Sequence, residues 1–313
     1  MKPKYFLFLC LSFLIFNSSL LIGTVRYVSK TGTSTPPYTS WETASDSIQK
    51  CINICSFGDT VYVANGVYKE FLVINPSISL LGMSMDSTVI DGTGLANRTI
   101  IFQADGYIQY FTIRGKGKGI ANTSCTLNNL TNAFIKDCRM MNASVGAALV
   151  WSSSIVDQCI ITNVSTGFLT VCAIDTCIQN SVIVVNNSED NAIEWGDLGS
   201  NKALNNVVIG NRNSIGGIGV VFSVTNSVIL NNIVNEFDYN VIGTANDTAI
   251  VHNNISVNGI ERGFTINALT GMRNNIIAKN EIGLVYPTVT SSDYNLYWQN
   301  NTNTTDQLAE HDI

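Results

Sequence analysis

From residue 133 onward one phrase recurs along the chain: FIKDCRMMN, SIVDQCIITN, CIQNSVIVVNN, ALNNVVIGN, VTNSVILNN, IVHNNISVN, MRNNIIAKN and SDYNLYWQN. Aligned on Cys138, Cys159, Ser181, Asn206, Ser227, Asn254, Asn275 and Asn295, the copies recur every 22 residues or so, about one short supersecondary unit each. A weaker copy, IQYFTIRG, places Phe111 in the same column. No single copy can bury its apolar side chains alone, so the chain must stack copy on copy.

Between these phrases a second one recurs, a small residue followed by apolar, any, apolar. It is seen at Gly167, Ala192, Gly217, Gly263 and Gly283. Each period therefore holds about three short strands with alternating faces, joined by tight corners. The composition suits those corners, with 37 Asn and 24 Gly against only 5 Pro. Asn and Gly both tolerate the left-handed backbone that such corners demand. Long amphipathic helical patterns are missing. The expected fold is all-β, a solenoid of about ten coils whose neighbouring strands lie about 4.8 Å apart.

The segment GDTVYVANGVYKEFLVI, Gly58 to Ile74, strengthens this reading, because it looks like the opening coil of many exported β-helix proteins. Before it, SWETASDSIQKCINIC carries Ile48, Cys51, Ile52 and Cys55 at helical spacing. Together the repeats and this opening resemble the right-handed parallel β-helix of the pectate-lyase-like superfamily, with a short helix capping its N-terminal end. The resemblance runs from residue 24 to about residue 300. It implies a substrate groove along the outer face of one parallel sheet, acidic residues there that bind calcium, and an Arg or Lys base beside a uronate.

Four segments follow. Residues 1–23 read as an export signal: Lys2 and Lys4, an apolar run from Tyr5 to Phe16, then small residues. Residues 24–59 form the N-terminal cap and 60–300 the β-helix. Residues 301–313, NTNTTDQLAEHDI, follow the last repeat phrase without a recognisable cap and read as a truncated end. A secreted or cell-surface protein with no transmembrane segment in its mature chain is expected. The net charge of −6 and pI of 4.9 exclude a nucleic-acid partner, which needs clustered Lys and Arg. Of eight cysteines, Cys10 falls in the apolar run, and the spacings of Cys51/Cys55 and Cys172/Cys177, with no His nearby, are not those of a zinc site. Cys138 and Cys159 share one column, which leaves open a disulfide or two small buried hydrophobes.

Only 13% of residues are charged, yet NNSEDNAIEWGDLGSNK packs Glu189, Asp190, Glu194 and Asp197 into nine positions. Alternation along the second phrase gives an outward column of Leu149, Leu169, Glu194, Gly219, Thr265 and Val285. Glu194 is thus the one charge on a mostly apolar face. By the resemblance, calcium would be held by Glu189, Asp190 and Glu194 with Glu236 or Asp238, and Arg212 or Lys202 would be the base. Arg212 and Glu194 are the candidate catalytic pair. The bland reading is a set of solvated loop charges. The adjacent Asp pair and Gly-His-Gly motif of related polygalacturonases are missing, and the histidines are only His252 and His311. Trp151, on the same face, is a candidate for stacking on sugar rings. The expected function is a carbohydrate-contacting or adhesive module whose partner is a polysaccharide or cell-surface glycan. The alternative is a calcium-dependent polysaccharide lyase acting on acidic, uronate glycans.

Overall fold

A computed structural model describes residues 23–115, 118–122, 132–150, 152–171, 175–185, 191–196, 200–211, 217–222, 226–243, 249–266, 271–285, 292–305 and 308–313. The expected export signal, apart from Gly23, lies outside these residues. Apart from one short helix, the described elements are strands, and every strand pairing among them is parallel. The chain is a parallel β-helix.

Each full coil contributes one strand to each of three faces. In the coil that starts at Cys177 these are Cys177–Gln179, Val182–Val185 and Asn191–Trp195. The first face is a sheet of twelve described strands in sequence order, from Val25–Val28 to Ser292–Asp293. The second and third faces share twenty described strands in one bent sheet. They merge because Arg139–Val150 and Ile160–Val171, twelve residues each, run through both faces without a break.

Residues with left-handed backbone form the corner between the first and second faces. Asp137, Gln158, Asn180, Asn205, Asn231, Asn253, Asn274 and Tyr294 all have φ between 46° and 60°. The residue after each points inward, and from Asn206 onward these make a buried amide ladder. Asn232 Oδ1 accepts from the Asn206 N–H and Nδ2, both at 3.0 Å. Asn254 does the same for Asn232, Asn275 for Asn254 and Asn295 for Asn275. Asp312 Oδ1 takes the next position, accepting from the Asn295 N–H at 2.8 Å. The amides turn a buried, polar corner into a fully hydrogen-bonded one, the condition for burying it at all. One alignment is corrected here. The column residue is Asn232, whereas Ser227 lies before the first-face strand Val228–Leu230, at the third-to-first corner, where Ile250 N–H reaches its carbonyl.

The third-face phrase begins with Gly because coils approach closely there. A Cβ on Gly167, Gly219 or Gly263 would sit 2.7, 2.5 or 2.6 Å from a carbonyl oxygen of the next coil. Inward side chains such as Leu80, Ile135, Ile178, Ile229 and Met272 are fully buried along the axis. Each contributes about 1.5–3 kcal/mol by leaving water.

At the N-terminal end the helix Ile48–Ile52 buries Ile48, Cys51 and Ile52 over the opening coil. Its exposed N–H groups are met by a carboxylate from that coil. Glu70 accepts from the Ser47 hydroxyl at 2.8 Å and from the Ile48 and Gln49 N–H groups at 3.0 and 2.9 Å. Beneath it, Arg26 and Asp59 form a buried ion pair at 3.0 Å. Cys138 and Cys159 are free buried thiols, as are Cys51 and the half-buried Cys55 and Cys177 in carrying no disulfide.

Candidate functional site

Strand register fixes the outer column of the third face as Ala148, Leu169, Glu194, Val221, Ile242, Thr265 and Val285. Two members of the expected column change. Leu149 pairs with Thr170 and is fully buried, so Ala148 takes its place. Gly219 lies one residue ahead of the buried Val220, so Val221 stands beside Glu194. Ile242 joins a coil that sequence spacing had skipped.

Glu194 does project outward from Asn191–Trp195, half-buried between Leu169 and Val221, while its neighbour Trp195 points into the core. Asn191 Nδ2 donates to Glu194 Oε2 at 3.0 Å, so the strand itself occupies one carboxylate oxygen. Every other position of this column is uncharged. Glu189, Asp190, Asp197, Arg212 and Trp151 lie outside the described residues.

Glu236 and Asp238 stand at the corner between the second and third faces. Glu236 has a left-handed backbone, φ 66°, and Asp238 is buried. The register partner of Glu194 in that coil is Ile242, four residues beyond Asp238 and two coils along. Four residues span about 13 Å and two coils about 10 Å, so Glu194 and Asp238 are about 16 Å apart. Calcium holds its ligands at about 2.3–2.6 Å, and these two carboxylates do not meet around one ion. Among the described residues no group of three or more His, Cys, Asp or Glu is close enough to hold a metal. Lys202 is on the first face, 3.1 Å from Asp175, and not beside Glu194.

The strongest concentration of chemistry lies at that same corner, further toward the C-terminus. Backbone bonding stacks Asp238, Glu261, Glu281 and Asn301 on successive coils: the Glu261 N–H donates to Asp238 O, Ile282 to Glu261 O and Thr302 to Glu281 O. The following residues, Tyr239, Arg262, Ile282 and Thr302, are register partners at the start of the third face. The Arg262 guanidinium lies over the Tyr239 ring, 5.3 Å from its centre, and the Tyr239 hydroxyl donates to Glu261 Oε2. That hydrogen bond, followed by partial burial, pushes the Tyr239 hydroxyl above its ordinary pKa. Asn301 Nδ2 donates to Glu281 Oε2 at 2.5 Å. Beside them a shallow concavity of about 430 Å³ is lined by Asn258, Lys279, Glu281, Gln299 and Asn301. Acceptors, donors and two cations, Arg262 and Lys279, thus stand together at the spacing of the coils.

Sequence spacing missed this corner. Its signal was present as an acid two residues before the glycine of the third-face phrase, in Glu261-Arg262-Gly263 and Glu281-Ile282-Gly283. Among the described residues no helix is long and apolar enough to cross a membrane.

No protein-family model matches the chain, and no curated protein matches it. Solved structures do. The Dettilon tailspike protein is 12% identical with a TM-score of 0.55, over 88% of this chain and 62% of its own. An alginate lyase from Paenibacillus is 13% identical with a TM-score of 0.47, over 82% and 96%. A pectin methylesterase from carrot is 13% identical with a TM-score of 0.45, over 95% and 87%. At 12% identity the likeness to the tailspike is one of fold.

Proposed function

We propose that the protein is an exported or cell-surface module that binds a glycan along the edge between its second and third faces. The observation that carries this reading is the stacked corner of Tyr239, Glu261, Arg262, Lys279, Glu281 and Asn301. Sugar hydroxyls both donate and accept, and they are best met by carboxylates, amides and guanidinium groups fixed on a rigid frame. Coil spacing repeats such groups about every 4.8 Å, so an extended chain can be contacted over several coils at once. The mostly apolar column of Val221, Ile242, Thr265 and Val285, next to this edge, offers the less polar faces of the sugar rings a surface to rest on. Export is proposed on the apolar run that follows Lys2 and Lys4.

The alternative, a calcium-dependent lyase acting on uronate glycans, would draw on Glu189, Asp190 and Arg212 around Glu194. One experiment separates the two. The purified protein is screened on a glycan array, and any ligand found is then incubated with it in calcium and in chelator. Saturable binding without unsaturated product supports the module, and calcium-dependent ultraviolet absorbance from new double bonds supports the lyase. If no glycan binds, the proposal fails.

A further inference from the structure

The outer surface of the second face changes character along the axis. Near the N-terminal end it is charged: Arg114 pairs with Asp91 at 2.8 Å, and Arg139 with Asp86 at 2.9 Å. From Ile160 to Leu296 it is not. Seven successive strands are in register, and one outward column holds Val182, Val207, Ile233, Ile255 and Ile276 between those two ends. The second column, from Thr162 to Trp298, is also free of charge, and its polar members are Thr162 and Asn235. Val182, Ile233 and Ile276 are 37–39% exposed and Trp298 is 57% exposed. The other faces differ. Among the described residues, the first carries Lys136, Asp157, Lys202 and Arg273, and the third carries Glu194.

We infer that this face pairs two copies of the chain about a two-fold axis, its rim at Asn258, Lys279 and Gln299 bordering the concavity of the corner. Three observations select a second copy as the occupant. A two-fold interface apposes one surface patch with itself, and on a molecule of net charge −6 this stretch of sheet carries no charge to repel its copy. Branched aliphatics repeated about every 4.8 Å make a ridged surface, and another copy of the same sheet presents ridges at the same interval. The patch spans six strand intervals, about 29 Å, and with two columns and their rims offers on the order of 600–800 Å² per copy, near the lower bound for a stable pair. It also has the anatomy of an interface, apolar within and polar at the edge. Along one side, Asn205 Nδ2 donates to Asn180 Oδ1 and Asn231 Nδ2 to Asn205 Oδ1, at 3.1 and 2.9 Å. Along the other run Asn258, Lys279 and Gln299.

Ile233 lies on the middle strand of the seven, so the axis passes near it and the two Ile233 side chains meet. Sedimentation equilibrium of the purified full chain tests this, with Ile233→Asp and Ile242→Asp as matched variants. Both positions point outward from a sheet, so each variant keeps the core, which an unchanged far-ultraviolet spectrum and melting curve verify. The expected result is a dimer at micromolar concentration for the wild type and Ile242→Asp. Ile233→Asp, which sets two carboxylates face to face, should weaken it about 100-fold or more. A wild type that stays monomeric at about 100 µM overturns the inference, since an interface of this size should exceed that affinity. So does an Ile233→Asp variant that remains dimeric.

Discussion

Arg262 lies with its guanidinium carbon 5.3 Å from the centre of the Tyr239 ring, one coil away, while the Tyr239 hydroxyl donates to Glu261. The cation–π contact is worth about 0.5–1 kcal/mol at an exposed site, enough to hold the guanidinium in one place but not to hold the fold. Tyr239, Glu261 and Arg262 therefore act as one unit. Phenol ionisation reports it, because the bond to Glu261 favours the neutral phenol. In ultraviolet titration, the difference between wild type and Tyr239→Phe should show a phenol ionising above the ordinary range, about 10. Glu261→Gln should lower that value, and an unchanged one would show that the bond does not form in solution.

The amide ladder makes a stability prediction. Asn254 Nδ2 donates to Ile229 O, His252 O and Asn275 Oδ1, and its Oδ1 accepts from two groups of Asn232. Asn254→Ala strands these partners in a buried corner, at about 1–3 kcal/mol for each group left unsatisfied. Urea denaturation should show a loss of about 3 kcal/mol or more. A loss under about 0.5 kcal/mol would mean the ladder is not a structural element.

Acid should weaken the N-terminal end through Asp59. Burial alone would raise its pKa, but N–H groups of Ser56 and Thr24 and the Arg26 guanidinium outweigh it and hold the carboxyl below the ordinary value. A carboxylate depressed on folding contributes its full stability above the unfolded value, about 3.9, and loses it as pH falls through the folded value. Melting temperature should thus drop below about pH 4, and Asp59→Asn should flatten that limb while lowering stability at neutral pH.

Thiol chemistry is equally specific. Cys138 is pushed up to about 12 by burial, and Cys159 is raised well above its ordinary value for the same reason. The thiolate is the reactive form, so neither should react with an aromatic disulfide reagent at pH 8 until the protein is unfolded. Rapid labelling of both in the native protein would contradict their place in the corner, and their absence from the free thiols of the unfolded protein would show a disulfide.

Period and composition were enough to read the solenoid, because a strand triplet with small polar corners leaves few other folds. They were not enough for the register. In VTNSVILNN, Ser227 and Asn232 are both small corner residues flanking one three-residue strand, and spacing cannot tell which corner each serves. In GGIGVV, Gly217 and Gly219 are two apart, so anchoring on the wrong one keeps the facing right and shifts the column. Glu194 was correctly placed outward, since alternation alone decides it. The Tyr239–Arg262 corner was missed because its members are 23 residues apart and meet only once coils stack.

Glycan binding at the stacked corner rests on its fixed donors and acceptors. The direct measurement is the affinity of the best array ligand by isothermal calorimetry for wild type, Arg262→Ala and Glu194→Ala. Arg262→Ala should weaken binding about tenfold or more, since it loses a charged hydrogen-bond donor at the edge. Glu194→Ala, three coils away on the apolar face, should bind within about twofold of wild type. Full affinity in Arg262→Ala with loss in Glu194→Ala would rule out the corner and move the site to the third face.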